Sequence, residues 1–147
     1  MARMFYRQIA AEDLAVRALL AEMRGWLATL GIGEERCGAI EIGLAEALNN
    51  VVEHAYANAP GEIAVDMRLA ADGLRVILCD RGAPLPRQRL PAAAAPPTPR
   101  RRAALPEGGF GWHLIRSVAR DVDYARAGDR NCLTLVFDIM PGATWSP

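Results

Sequence analysis

The chain has 147 residues, 52% of them hydrophobic and 23% charged. That suits one domain with its own core and excludes wholesale disorder. Seventeen basic residues balance seventeen acidic ones, so no overall positive excess points to nucleic acid. Every basic residue is arginine, which excludes a Walker A lysine, a Schiff-base lysine and a Ser–Lys dyad.

In chain order, Met4 to Ala10 is predicted as a short edge strand. Glu12-Asp13 opens a helix in which Leu14, Leu19, Leu20, Met23, Trp26, Leu27 and Leu30 recur at three- and four-residue spacing as far as Gly31. A second helix is predicted from about Glu34 to Tyr56. Two strands follow, Glu62 to Leu69 and Leu74 to Asp80, joined by a turn at Ala71-Asp72-Gly73. After a long irregular stretch, Phe110 to Arg120 reads as a helix that starts directly after glycines. Val122 to Ala127 and Cys132 to Ile139 read as strands around a turn at Gly128-Asp129. Strands in hairpins rather than repeated βαβ units argue for an α+β fold, a two-layer sandwich. Helices would cover one face of a mostly antiparallel, mixed sheet.

The three cysteines, Cys37, Cys79 and Cys132, stand far apart in apolar stretches. They suggest small core residues rather than a disulfide framework or a metal clip, and hence a reducing compartment. Two histidines, His54 and His113, are too few for a histidine-rich zinc site. No apolar run is long enough for a membrane span and no leader-like segment opens the chain, so a soluble cytoplasmic protein is expected. The segment 82–107 holds seven of the ten prolines, five arginines and a single acidic residue, Glu107. A loop of this length reads as a mobile lid over a ligand or as a linker.

Three short motifs could carry chemistry. On the second helix, Glu46 and Asn50 stand four residues apart and share a face with Asn49 and Glu53, opposite Ile40, Leu44, Leu48, Val51 and Ala55. An ordinary solvated face would look the same. A carboxylate positioned to deprotonate a nucleophile beside an amide oxygen that holds a hard cation would too. Asp80-Arg81-Gly82-Ala83-Pro84 ends a strand. It reads as a capped turn, or as a carboxylate that accepts a hydrogen bond from a ligand amino group. Gly108-Gly109-Phe110-Gly111-Trp112 opens a helix and offers free N–H groups to an anion, or only a flexible helix start. With only Ser117 and Ser146 present, neither in a nucleophile elbow, a serine hydrolase has no support.

Taken together, the order and spacing of these motifs resemble the GHKL ATPase superfamily, whose ATP site is the Bergerat fold. Within it the chain looks most like the anti-sigma-factor serine kinases of the RsbW/SpoIIAB type. Glu46-x-x-x-Asn50-x-x-x-His54-Ala55-Tyr56 matches the N box, Asp80-x-Gly82-x-Pro84 the first glycine box and Gly109-x-Gly111 the second. The resemblance implies one domain over 1–147, with 82–107 as ATP lid. It implies that Glu46 is the general base and that Asn50 holds Mg²⁺. Asp80 would bind the adenine amino group, and Gly82 would let the base lie against the backbone. Gly108, Gly109, Phe110, Gly111 and Trp112 would surround the phosphates, and Thr134 would close the adenine pocket. The implied cofactors are ATP and Mg²⁺. The implied activity is transfer of phosphate to a serine of an anti-anti-sigma (STAS-type) antagonist. The implied partners are that protein and a sigma factor or analogous regulator, with a homodimer and without direct nucleic-acid or membrane contact. The alternative is a non-catalytic, ATP-dependent interaction module of the same fold.

Overall fold

The computed structural model describes residues 3–92 and 109–139. Gly108 and the lid stretch 93–107 lie outside the described residues. Strand β1 (Met4–Ala10) leads into helix α1 (Asp13–Thr29) and helix α2 (Glu34–Asn50), which runs on into a π turn (Val51–Ala55). Strands β2 (Glu62–Ala70) and β3 (Gly73–Asp80) form a hairpin. A short 3₁₀ turn (Pro86–Gln88), helix α3 (Gly109–Val118) and a second hairpin, β4 (Asp121–Ala127) and β5 (Arg130–Phe137), complete the order.

Helix α1 stops where Gly31 adopts φ +78°, a left-handed conformation that glycine takes without strain. The Gly31 N–H donates to Ala28 O and the Ile32 N–H to Leu27 O, the pair of bonds that caps a helix C-terminus. Glu34 and Glu35 then sit in the first turn of α2, where acidic side chains suit the helix dipole. The predicted stripe of α1 is kept at Leu19, Met23 and Leu27, all buried, and Val16 joins it. Leu14, placed on that stripe by spacing, is 74% exposed in the first turn, ahead of the point where the helix meets the sheet.

The sheet has the order β1-β2-β3-β5-β4. Every pairing among its strands is antiparallel, so the expected mixed character is not found among the described strands. The helices cover one face. Ile63, Val65, Met67, Leu74, Val76, Leu78, Leu135 and Phe137 point into that layer and are almost fully buried. Burial of side chains of this size stabilises the fold by about 1.5–3 kcal/mol each. The order inserts β5 beside β3, so the end of β3 meets the start of β5 and Asp80 stands opposite Asn131.

Register also places Cys79 opposite Cys132 with Cα atoms 4.3 Å apart, and the two form a disulfide. This corrects the expectation of three unpaired thiols. Positions 53 apart in sequence become neighbours only through strand pairing. The argument for a reducing compartment falls with it. Cys37 is buried and free, and burial pushes its thiol above the usual range. Among the described residues no helix is long and apolar enough to cross a membrane.

Helices α2 and α3 approach closely at Gly43. A Cβ there would lie 2.8 Å from Val118 Cγ2 and 3.2 Å from the ring of Phe137, which is itself 1% exposed. Gly43→Ala should therefore destabilise the chain by about 1–3 kcal/mol through overpacking, read as a lower midpoint in urea unfolding with an unchanged slope.

Candidate functional site

Helix α2 delivers Glu46 and Asn50 one turn apart toward the start of α3. At Gly111 a Cβ would lie 2.9 Å from Glu46 Oε2 and 3.6 Å from Asn50 Oδ1, so only glycine lets α3 begin this close to both side chains. Burial, and secondarily the charge of Glu53, hold the Glu46 carboxyl above its usual range. That moves it toward the behaviour of a base near neutral pH. Asn50 Nδ2 is buried with no hydrogen-bond partner among the described residues. Such an orphan costs about 1–3 kcal/mol, and sites of this kind recur where the same side chain serves a ligand. Its oxygen end faces the glycine turn, where an amide oxygen suits a hard cation. One amide and the oxygens of a bound phosphate chain are a donor set that Mg²⁺ accepts, since that ion seldom has an all-protein cage.

After Asn50 the helix widens. The Tyr56 N–H donates to Val51 O, five residues back, where an unbroken α-helix had been expected as far as Tyr56. The Ala55 carbonyl then accepts from the Ala83 N–H at 2.7 Å, so the strap after β3 crosses the helix end. Gly82 is required at that crossing, because a Cβ would lie 2.4 Å from Ala55 O. The close backbone approach that the sequence reading reserved for a ligand is here made by the chain itself. Tyr56 secures the same corner. Its hydroxyl donates to Glu62 O and accepts from the Arg81 N–H.

Asp80 ends β3 on the inward face and is only 7% exposed. Its Oδ1 accepts from the Gly82 N–H at 2.9 Å and from Asn131 Nδ2 at 2.8 Å. Asn131, 3% exposed, is the hub of this end. Its Nδ2 also reaches Gly82 O and Ala83 O, while its Oδ1 accepts from the Tyr124 hydroxyl and from Arg126 Nη1. The Tyr124 hydroxyl accepts in turn from the Leu85 N–H. Sequence reasoning missed Asn131. A polar residue opening the otherwise apolar inward series Leu133, Leu135, Phe137 was the available signal. Thr134 is not brought to this end. Strand alternation puts it on the opposite face of the sheet with Cys132, and it does not line the cavity.

Between these groups lies a cavity of about 600 Å³, a size suited to a small organic ligand. Its walls are largely apolar, with Asp80 and Asn131 at one end, Asn50 and His54 on the helix side, and Trp112 from α3. Of the predicted residues, Asn50, Asp80 and Trp112 line this space, whereas Glu46, Gly82 and Gly111 are not in its lining. Glu46 and Gly111 meet beside Asn50, and Gly82 packs on Ala55 O. Of Gly109 and Phe110 only the helical backbone is described. Gly108 and lid residues 93–107 fall outside the described residues.

The histidine kinase-like ATPase domain family matches residues 9–137. Similar curated proteins include a serine-protein kinase RsbW of Bacillus cereus, 28% identical over 78% of this chain and 72% of the relative. Another is the serine-protein kinase RsbW of Oceanobacillus iheyensis, 30% identical over 63% of this chain and 60% of the relative. Among solved structures, a chain holding the RsbU and RsbW domains of a Mycobacterium tuberculosis protein superposes with a TM-score of 0.68 at 21% identity. It covers 99% of this chain and 35% of that one. The histidine kinase domain of a blue-light-activated histidine kinase from Erythrobacter litoralis gives 0.53 at 19% identity, over 88% of this chain and 64% of that one. Both structural likenesses speak to the fold.

Glu46 also predicts a pH effect on stability. A carboxyl raised in the folded state favours folding below its unfolded value, here 4.5, and that contribution is lost as pH rises through the higher folded value. Above that window its buried charge opposes folding. Glu46→Gln should therefore gain stability over the wild type progressively as pH rises from about 4 to about 7, measured by urea unfolding at each pH.

Proposed function

The chain belongs to the histidine kinase-like ATPase domain family, and on that premise we propose that it is an ATP-dependent serine/threonine protein kinase of the anti-sigma type. The observation that carries this reading is the meeting of Glu46 and Gly111 beside Asn50, which lines the same cavity as Asp80. Bound Mg-ATP would supply the γ-phosphoryl group and the cation's charge neutralisation. Asp80 and Asn131 would recognise the adenine edge. Oδ1 of Asp80 is already occupied, and among the described residues no hydrogen bond falls on Oδ2, which leaves an acceptor for the amino group. The N–H groups at the start of α3 would face the phosphates. Asn50 Oδ1 would hold the metal. Glu46, with its raised carboxyl, would take the proton of an incoming serine hydroxyl. The names of the curated relatives support serine as acceptor. We further propose that the acceptor is a small anti-anti-sigma antagonist and that a sigma factor is the alternate partner.

Mixing the chain with Mg-ATP and candidate antagonists, then mapping the phosphorylated residue, tests the reading. An acid-stable phosphoserine is the expected product, and no transfer to any protein hydroxyl would overturn the kinase assignment. Glu46→Gln should lower the transfer rate by about 10²-fold or more while ATP affinity stays within a few-fold. Asp80→Asn should weaken ATP binding and reduce the preference for ATP over GTP, since an amide presents a donor where the amino group needs an acceptor. Calorimetric titration with both nucleotides measures this.

A further inference from the structure

The disulfide between Cys79 and Cys132 occupies a particular place in the sheet. Asp80 and Asn131 are the last pair of the β3–β5 ladder, and the two cysteines are the pair next to last. The sulfurs lie on the face of the sheet opposite the described helices, directly behind the buried hydrogen bond from Asn131 to Asp80 on the other face. Ladder ends are where strands open locally. A covalent tie one residue inside the end suppresses opening of the pair that carries the carboxylate.

Two further observations separate this bond from a purely structural staple. The core is filled without it, since inward residues of β2, β3 and β5 are almost fully buried against the helices. Reagents can also approach it from the Cys132 side, Cys79 being only 9% exposed. Cys132 is only half-buried, and the residues beside the bond in the same row are Ala64 and Ala125, which carry the smallest side chains able to stand there. The remaining cysteine, Cys37, is buried on α2, away from this face.

We propose that Cys79 and Cys132 form a reversible thiol–disulfide site that sets nucleotide affinity through the Asp80–Asn131 pair. The inference rests on reading Asp80 as the adenine-recognising carboxylate. On oxidation the two thiols lose two protons and two electrons and join. Hydrogen peroxide accepts both and leaves as two waters. On reduction a dithiol thiolate attacks one sulfur, passes through a mixed disulfide and departs as its own disulfide, restoring both thiols. The oxidised form presents a fixed carboxylate and amide to the base. The reduced form must order the strand ends on binding and therefore binds more weakly. Coupling is reciprocal, so bound nucleotide protects the disulfide by the factor by which the disulfide strengthens nucleotide binding.

The test uses the full chain, oxidised with hydrogen peroxide or reduced with dithiothreitol. The two states are verified by thiol titration as one free thiol against three. Calorimetry with Mg-ATP should give about fivefold or greater tighter binding for the oxidised form. Mg-ATP should shift the equilibrium with dithiothreitol toward the disulfide by the same factor. Cys132→Ala should show one affinity, that of the reduced protein, under both conditions. Equal affinities for verified oxidised and reduced wild type would overturn the switch while leaving the nucleotide site standing. Three free thiols after peroxide would overturn the redox pair itself. A disulfide that forms normally in a chain that binds Mg-ATP in neither state would overturn the nucleotide reading, and this inference with it.

Discussion

One hydrogen bond, from Asn131 to Asp80, governs the architecture of the site. A carboxylate that is only 7% exposed at the end of an apolar strand is costly unless donors meet it. Asn131 meets it from the facing strand, and that contact exists only in the observed β3–β5 register. Slipping the register by one residue would turn Asn131 to the other face and strand the carboxylate. Asn131 is saturated in its turn by Tyr124 and Arg126 from β4 and by the carbonyls of Gly82 and Ala83. One amide thus joins three strands and the strap that leaves β3. Networks of this kind stiffen a site when every member is satisfied.

The contact between α2 and α3 beside Asn50, which lines the cavity, is organised by steric closeness instead. Gly43 lets α2 and α3 come together, and Gly111 lets α3 start against Glu46 and Asn50. The polar groups there are left incompletely satisfied. Glu46 keeps a raised carboxyl and Asn50 an orphaned amide nitrogen. A satisfied recognition end and an unsatisfied reactive end are what the proposed chemistry asks for. The base edge needs a fixed template, whereas a proton acceptor and a metal ligand need capacity in reserve.

Much of this was legible in the sequence because it is periodic or local. Strand-like runs around turns marked the strands, three-and-four spacing marked the helices, and the i, i+4 spacing marked the carboxylate and amide that meet Gly111. What was not legible is what only pairing creates. The Cys79–Cys132 bond and the Asn131 hub come from strands that are neighbours only after the chain has looped out and returned. Thr134 and Asn131 differ by three positions on one strand, so their opposite faces follow from alternation once the strand start at Arg130 is known. The π turn at Val51–Ala55 was invisible because apolar spacing at the end of a helix does not distinguish four-residue from five-residue bonding. Gly82 was read as a place where a ligand could lie against the backbone, but the group pressing on it is the Ala55 carbonyl.

The absence of lysine sharpens the electrostatic problem that a phosphate chain would pose. No flexible ammonium group exists anywhere in the sequence to follow a moving γ-phosphoryl group. Several of the described arginines are committed elsewhere. Arg24 pairs with Glu34 and Glu41, Arg68 with Asp66, Arg120 with Asp121 and Asp138, and Arg126 with the Asn131 hub. Under the proposed reading, the α3 N–H groups and a cation held at Asn50 would take up negative charge at the reactive end. Under that reading both would be in place before transfer, which suits phosphoryl transfer, where positioning and charge neutralisation outweigh covalent chemistry. Under the same reading, glycine rather than a charged side chain suits position 111. A Cβ there would push α3 away from Glu46 and Asn50, and the helix terminus would lose its aim.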